Sequence, residues 1–440
     1  MSASKCIIRS LRLYAVAIAL LTAAALPPQA QETLGAPAKA APLRPGPHVI
    51  VMAEQVVLNQ WPHTLKLANA PQQISVVNPG ECVRVGIFAP GEQRNTSLTK
   101  TRLGFRVNFA SRKETYRTAP LAAIKEIRPG DENPASAPSN SGDNAKSVAV
   151  YALLGASAAR WCVPADAPDG TATIDARADD PGGHTRLPPA IIQVESFETG
   201  SKHAFKDAQE LSSFSMAYYR EPEPARLLPA LQYFVSDSQI SSNPGIAESI
   251  AAFLSAALRA NPVAASDFKV RVAAEPPMTR AFGLVILRSA GYDISDAVKN
   301  LNADEQKKLN SIPPLADPFE IPMTKAAFTH LDTLWAVFGA TGSFAPVSKI
   351  AGMLAWRPDY QAFSQLRNSG KKLSESDLTP SMVRGLIYVA AGWSLSSFQA
   401  NDPLVADYID YMLVSPDVAE PVKTELKGLQ TNPVFHGAAR

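Results

Sequence analysis

The histidine and carboxylate residues of this sequence are scattered and form no metal or catalytic motif. None of the six His falls in an HExxH or HxH pattern, the spacings that place two metal ligands on one face of an element. His330 and Asp332 differ from the rest because they lie inside a strongly apolar helical stretch. A histidine in such a place is more often a hydrogen-bonded residue at the edge of a core than a catalyst. We predict no catalytic, cofactor-binding or metal site, and retain His330 and Asp332 as candidate binding-surface residues.

One serine lies in a partial nucleophile motif. Gly155-Ala156-Ser157 begins a G-x-S-x-G pattern, but Ala159 stands where the second Gly is needed, and no helix pattern follows. A serine hydrolase of this type holds its nucleophile on a tight strand-to-helix turn. We therefore expect Ser157 to be an ordinary residue of a β region.

Two short clusters of aromatic and arginine residues are candidates for a binding surface. Tyr218-Tyr219-Arg220 and Trp356-Arg357 each stand at the end of a predicted helix. Tyr, Trp and Arg are the types that dominate the energetics of protein interfaces. Core packing is the alternative, since most aromatic residues in this half of the chain fall on apolar helix stripes. We predict that these two clusters border an exposed groove.

The cysteine content favours one disulfide bond. Of the three Cys, Cys6 lies in the amino-terminal leader, which leaves Cys82 and Cys162 as an even pair. An even pair in an exported chain is typical of a disulfide. Two independent buried thiols are the alternative. No CxxC motif is present, so neither a dithiol redox motif nor a zinc ribbon is indicated.

The amino terminus has the layout of a secretory signal peptide, which we place at residues 1–30. Lys5, Arg9 and Arg12 precede an apolar run over 13–26, and small residues follow where cleavage is expected. The run is shorter than the roughly 20 residues that a spanning helix needs, and an uncleaved anchor is the alternative. Cleavage would change the formal net charge from +2 to −1.

A nearly neutral mature chain argues against nucleic acid or an anionic membrane surface as a partner. No later stretch of the sequence is long and apolar enough to predict a membrane span. Residues 31–47 are rich in Ala, Pro and Gly and are expected to form a disordered linker. We therefore expect a periplasmic or secreted protein.

Residues 48–200 have the pattern of a β domain. Short β-branched runs are separated by Pro and Gly, and Leu103, Phe105 and Val107 alternate with smaller or polar residues. A strict period of two predicts strands with one buried and one solvated face. The sequence therefore predicts an antiparallel β-sandwich.

The segment WCVPADAPDGTATIDARADD resembles the approach to the closing strands of bacterial immunoglobulin-like sandwich domains. It carries their P-x-D-A-P-x-G pattern from Pro164 to Gly170, over about twenty residues. The sequence departs from the antibody hallmark because Trp161 lies beside the second cysteine and not on a central strand. The resemblance implies a sandwich architecture, in which a disulfide would join an early strand to a late one.

From Asp207 onward the period changes from two to about 3.6, which predicts helices. Thr324–Leu354 is the clearest case: two amphipathic helices joined by a turn in which Gly342 suits a left-handed cap and Pro346 fits the first turn of the second helix. Elsewhere a capping residue followed by Pro marks helix starts, at positions 243, 379, 402 and 415. We predict an all-α domain over 203–436 with roughly ten helices, arranged as a helical-hairpin array or a compact bundle.

These observations predict an α+β protein of two domains, an immunoglobulin-like β-sandwich followed by an all-α domain. The pairing of LDTLWAVFGATG with AAGWSLSSFQANDPLVADYIDYML resembles helical domains of uncharacterised secreted bacterial proteins, and no activity follows from that. We expect a binding or scaffold protein of the cell envelope, with another envelope protein as its partner, rather than an enzyme. The alternatives are an envelope hydrolase with a site between the domains, and a sandwich that binds a sugar or a peptide.

Overall fold

The computed structural model describes a mixed α+β chain in which all described strands precede all described helices. The change of sequence period near Asp207 therefore falls close to the change from strands to helices. The described residues are 48–53, 74–88, 102–109, 117–120, 158–180, 183–312, 315–323, 327–369 and 377–436.

Two predictions concern residues outside those ranges. The signal peptide and linker of residues 1–47 are not among the described residues, and neither is Ser157 of the partial nucleophile motif.

The strand region consists of two sheets. The strands are β1 (His48–Ala53), β2 (Val76–Val77), β3 (Cys82–Phe88), β4 (Arg102–Asn108), β5 (Arg117–Pro120), β6 (Ala158–Cys162), β7 (Gly170–Asp180) and β8 (Gly183–Val194). One sheet has the order β1-β3-β6 and the other the order β2-β8-β7-β4-β5, with antiparallel pairing except between β2 and β8.

The two sheets share one hydrophobic core. Val85 and Trp161 of the first sheet belong to the same buried cluster as Phe105 and Ile174 of the second. In β4 the apolar side chains are buried, while Arg106 and Asn108, which alternate with them, are only half-buried. The predicted period of two is therefore confirmed for this strand, because a one-residue register shift would turn every apolar side chain outward.

The helical region contains more segments than the sequence predicts, because short ones without an apolar stripe give no periodic signal. The helices are α1 (Phe197–Gly200), α2 (Ala208–Ala217), α3 (Leu227–Ser236), α4 (Ser238–Ser241), α5 (Pro244–Ala260), α6 (Pro262–Val272), α7 (Pro277–Ser289), α8 (Ser295–Lys299), α9 (Ala303–Ser311), α10 (Phe328–Thr341), α11 (Phe344–Gly352), α12 (Arg357–Asn368), α13 (Pro380–Asn401), α14 (Pro403–Val414) and α15 (Glu420–Gly428). Single 3₁₀ turns occupy Pro224–Arg226, Met353–Trp356 and Pro433–His436.

Three of the predicted capping residues begin helices as expected. Asn243 Oδ1 accepts from the backbone N–H of Gly245 at 3.0 Å, and Asp402 Oδ1 accepts from Leu404 at 3.0 Å. Thr379 caps α13 in the same way. Each cap satisfies a backbone donor that the first turn of a helix leaves unpaired, and the proline that follows needs no such partner.

The fourth predicted start, at Ser415-Pro416, is wrong. Ser415 Oγ accepts from the N–H of Asp417 at 3.3 Å and so closes a local turn, and α15 begins only at Glu420. A serine side chain bonds nearby backbone equally well in a turn and in a cap. Pro421, in the first turn of α15, is the proline that belongs to this helix.

Helix α10 contributes side chains to both hydrophobic cores of the helical region. Ala336 and Ala340 belong to one core, while Trp335 and Phe338 belong to the other. Gly342 ends the helix with φ of 62°, the left-handed cap that the sequence predicts. Helix α11 follows directly and packs back against α10.

Candidate functional site

The strand region and the helical region meet at a buried polar cluster, which we call the junction. It consists of Asn78 and Glu81 from the turn before β3, Glu195 after β8, Tyr218 after α2, and Asn261 at the start of α6. Most buried polar groups in proteins are hydrogen bonded because an unpaired one is costly. A polar cluster between two regions therefore holds them together with directional bonds.

Glu81 is the centre of the junction, and its side chain is 9% exposed. Its Oε2 accepts from the backbone N–H of Asn78 at 2.9 Å, and its Oε1 accepts from Asn261 Nδ2 at 3.1 Å. At the same time Asn261 Oδ1 caps α6 by accepting from the N–H of Ala264 at 3.0 Å. One amide side chain thus begins a helix of the helical region and binds a carboxyl group of the strand region.

The turn that carries Glu81 is shaped for close approach to α6. Gly80 adopts φ of +83°, a conformation that residues with a Cβ rarely take, and a Cβ built there would lie 3.7 Å from Val263 of α6. Asn78 Nδ2 donates to the backbone oxygen of Glu195 at 2.6 Å. The turn is therefore fixed to α6 on one side and to the end of β8 on the other.

The connection between the two regions is also hydrogen bonded on both sides. Asp169 accepts from the N–H of Ser196 at 2.6 Å and from Thr199 Oγ1 at 2.6 Å, which ties α1 to the start of β7. Arg271 of α6 donates to the backbone oxygen of Phe197 at 2.7 Å. The connecting helix α1 is thus hydrogen bonded both to the strand region and to α6.

Burial changes the acid–base properties of the junction. It raises the pKa of Glu81 to about 7, although the hydrogen bonds from Asn78 and Asn261 oppose this effect. Tyr218 is 5% exposed, and its pKa is raised by burial, then by the charges of Glu81 and Glu223. Within the described residues, neither the Tyr218 hydroxyl nor Asn78 Oδ1 has a hydrogen-bond partner. A carboxyl group that titrates near neutral pH thus lies close to a tyrosine hydroxyl.

The predicted candidate His330 has a structural role in the described region. Its Nε2 lies 2.7 Å from the backbone oxygen of Pro318, which can only accept, so Nε2 carries the proton. Lys349 donates to the same oxygen at 2.8 Å and to the oxygens of Phe319 and Ile321. Burial lowers the pKa of His330, which favours the neutral imidazole. Together the two side chains hold the chain before α10 in place.

Asp332 is half-buried, and burial raises its pKa to about 7. It follows His330 by two positions, which places the two side chains on different faces of α10. Among the described residues no hydrogen bond joins them. The structure therefore does not bring His330 and Asp332 together as one site.

The cluster at the end of α2 lies in the core and not in an exposed groove. Tyr218 and Tyr219 are 5% and 3% exposed. The Tyr219 hydroxyl donates to Asp402 at 2.7 Å, and the Arg220 guanidinium forms an ion pair with the same carboxylate. The tyrosines are buried because α2 ends against α10, where the N–H of Tyr219 donates to the oxygen of Gly339 at 2.8 Å.

The Trp356–Arg357 cluster, in contrast, reaches the surface. Trp356 is half-buried and the Arg357 side chain is 51% exposed. Arg357 Nη1 lies 2.6 Å from Glu425 Oε1, and the Tyr388 hydroxyl donates to Glu425 Oε2 at 2.6 Å. The Glu425 side chain is only 4% exposed. An arginine at the surface is thus held in one orientation by a buried carboxylate.

The predicted disulfide between Cys82 and Cys162 is confirmed. The two residues are direct partners in the β3–β6 pairing, so the bond joins an early strand to a late strand within one sheet.

The junction contains the residues that sequence reasoning missed. Asn261-Pro262 has the same capping pattern as the predicted helix starts at 243, 379 and 402, and Asn78-Pro79-Gly80 is an evident turn. Neither pattern reveals that the two meet, because the contact between Glu81 and Asn261 joins residues 180 positions apart.

Within the described ranges, no three or more His, Cys, Asp or Glu side chains are grouped so that they could hold a metal ion. None of the helices in the described part of the chain is long and apolar enough to cross a membrane. Comparison with protein-family models, curated proteins and solved structures finds no match for this chain.

Proposed function

We propose that the chain is an exported binding or scaffold protein of the cell envelope, periplasmic or secreted, whose partner is another envelope protein. The observation that carries this proposal is the junction. A scaffold must present its surfaces in a fixed arrangement. The bond between Glu81 and Asn261 joins the strand region to the helical region directly, and Arg271 holds the connecting helix α1 against α6.

The proposed contact surface is centred on Trp356 and Arg357. Arg357 is already oriented by Glu425, so its side chain would lose little conformational freedom when a partner binds. Preorganised groups lose less conformational entropy on association and so contribute more to affinity. Trp and Arg are also the types that interfaces favour.

Site-specific crosslinking in cells tests this proposal. A photoreactive amino acid at exposed Ala355, beside Trp356, should give a discrete adduct in the envelope fraction, and excess purified protein should compete it away. The same amino acid at Val414, which is 75% exposed on the same helical region, is the matched control and should give none. No adduct at Ala355, or the same adducts at both positions, would count against the scaffold proposal.

We also propose that the strand region is an immunoglobulin-like sandwich. The shared core of the two sheets and the P-x-D-A-P-x-G resemblance before β7 support this proposal. A crystal structure of the mature chain would test it, since the sandwich requires the two sheets to pack face to face. A single sheet closed into a barrel would contradict it.

An envelope hydrolase with its site at the junction is the second candidate function. The supporting observation is that burial raises the pKa of Glu81 to about 7 and also raises the pKa of Glu223, while Arg226 opposes the latter shift. A general acid or base works best with a pKa near the working pH. The test is hydrolysis of nitrophenyl esters, nitrophenyl glycosides or peptidoglycan fragments by the purified chain. An activity that Glu81→Gln abolishes would favour this function over the scaffold.

The third candidate, a sugar- or peptide-binding sandwich, has less support. The described surface side chains of β4, β7 and β8 include charged residues such as Arg106, Asp175 and Arg177, and no Phe, Tyr or Trp. A binding platform for sugar rings is built on exposed aromatic side chains, so no described observation on this face favours that function.

A further inference from the structure

The Cys82–Cys162 disulfide lies at the surface of the first sheet. Both cysteines are half-buried, whereas Val83 and Trp161 beside them are 0% and 1% exposed. Successive side chains of a strand point to opposite faces, so the sulfur atoms are on the face away from the core. The bond is therefore accessible to an external thiol in a way that a core disulfide is not.

The disulfide is also adjacent to the junction. Glu81 directly precedes Cys82, and Val163 directly follows Cys162. The N–H of Val163 donates to the oxygen of Glu81 at 2.8 Å, and the N–H of Gly80 donates to the oxygen of Val163 at 3.0 Å. The bond thus fastens the base of the turn whose Glu81 carboxyl group binds Asn261 of the helical region.

We propose that the Cys82–Cys162 disulfide is a redox latch for the junction and a substrate of a thiol–disulfide oxidoreductase. In the oxidised chain the latch holds the turn of Glu81 against α6. In the reduced chain the turn moves more freely and the two regions are less firmly joined. This inference goes beyond the scaffold proposal and does not depend on it.

The chemistry is a two-electron exchange with the dithiol of the oxidoreductase. A thiolate of that dithiol attacks one sulfur of the disulfide and forms a mixed disulfide, and the other cysteine leaves as a thiolate that takes up a proton. The second thiol of the oxidoreductase then attacks the mixed disulfide and releases the first cysteine. The products are two thiols on this chain and one disulfide on the oxidoreductase, and the reverse exchange closes the latch.

The consequence for the junction follows from loop closure. The disulfide joins residues 80 positions apart, so reduction removes the covalent closure of a long segment. After reduction the base of the turn is held by hydrogen bonds alone, those of the β3–β6 pairing and those that Val163 forms with Gly80 and Glu81. Because the lost covalent bond lies directly beside it, the turn of residues 78–81 should open more easily than segments remote from the disulfide.

Hydrogen exchange of the full mature chain tests the proposal. Dithiothreitol in native buffer should reduce the disulfide without unfolding, and exchange should rise at least tenfold in peptides covering 78–81 and 261–264. Helix α13, remote in sequence, is the internal control and should change less than twofold. Reoxidation should restore the original rates.

Three results would overturn the latch. The disulfide could resist reduction until the chain unfolds, the two junction peptides could keep their exchange rates after reduction, or α13 could accelerate as much as the junction. The last result would mean that the disulfide stabilises the whole fold and not the junction in particular. A thioredoxin without its resolving cysteine should trap a mixed disulfide with the native chain, and the Cys82→Ser/Cys162→Ser variant, the control, should give none.

Discussion

Replacing Glu81 by Gln removes the ionisable group of the junction while keeping its size and one of its acceptor oxygens. The folded chain holds a proton on Glu81 more tightly than the unfolded chain does, because burial raises the pKa from 4.5 to about 7. The contribution of Glu81 to stability is therefore fully present below pH 4.5 and is lost as the pH rises through about 7.

The size of this effect follows from the pKa shift. One pKa unit corresponds to about 1.4 kcal/mol, so the wild-type chain should lose ~3 kcal/mol relative to Glu81→Gln between pH 4 and pH 8. Other titrating groups act on both proteins and cancel in the difference. Gln has one acceptor oxygen fewer than Glu, and this changes the difference in the free energy of unfolding by an amount that does not depend on pH.

Denaturant unfolding of both proteins, with the disulfide intact, measures the difference in the free energy of unfolding from pH 4 to pH 8. Tryptophan fluorescence follows the unfolding of both regions, since Trp161 is buried in the core of the strand region and Trp335 in a core of the helical region. A difference that stays constant over this range would refute the reasoning, because the carboxyl group would then be no more costly to ionise in the folded chain than in the unfolded one.

Two further predictions concern the helical region. In Gly392→Ala the new methyl group would lie 2.1 Å from a ring carbon of Phe435, so thermal unfolding should show a loss of roughly 2–3 kcal/mol. The control Gly352→Ala meets only ordinary contacts and should be neutral or stabilise by up to ~1 kcal/mol. Asp402→Asn leaves a partly buried arginine without its charge partner and should lose about 3 kcal/mol in denaturant unfolding, whereas Asp359→Asn at a more exposed ion pair should lose at most ~1 kcal/mol. Equal losses within either pair would contradict the packing and charge arguments.

The sequence predicts those features that depend on neighbours along the chain. The period of β4, the left-handed Gly342 and the caps at Asn243 and Asp402 are local, because each is set by residues a few positions apart. The wrong start at Ser415 is also instructive, since the same serine-proline pair suits a turn and a helix cap.

The sequence does not reveal which polar groups meet across the fold. The sequence predicts Tyr219 at an exposed groove, but it is buried where α2 ends against α10, and Asp402, far along the chain, is the partner of its hydroxyl. Glu81 has no distinguishing pattern, because nothing near it in sequence indicates that Asn261 will reach it. Long-range pairing is decided by packing, and the residue types alone do not encode it.

A distance measurement across the junction tests the central claim most directly. Spin labels on unnatural amino acids at Ile191 of β8 and Val414 of α14, which are 60% and 75% exposed, report on the two regions without disturbing the disulfide. The bonds at Asn261 and Arg271 predict one narrow distance distribution for the wild-type chain, and a broader one when both residues are replaced by Ala. A broad distribution in the wild-type chain would contradict the claim that the junction holds the two regions in a fixed arrangement.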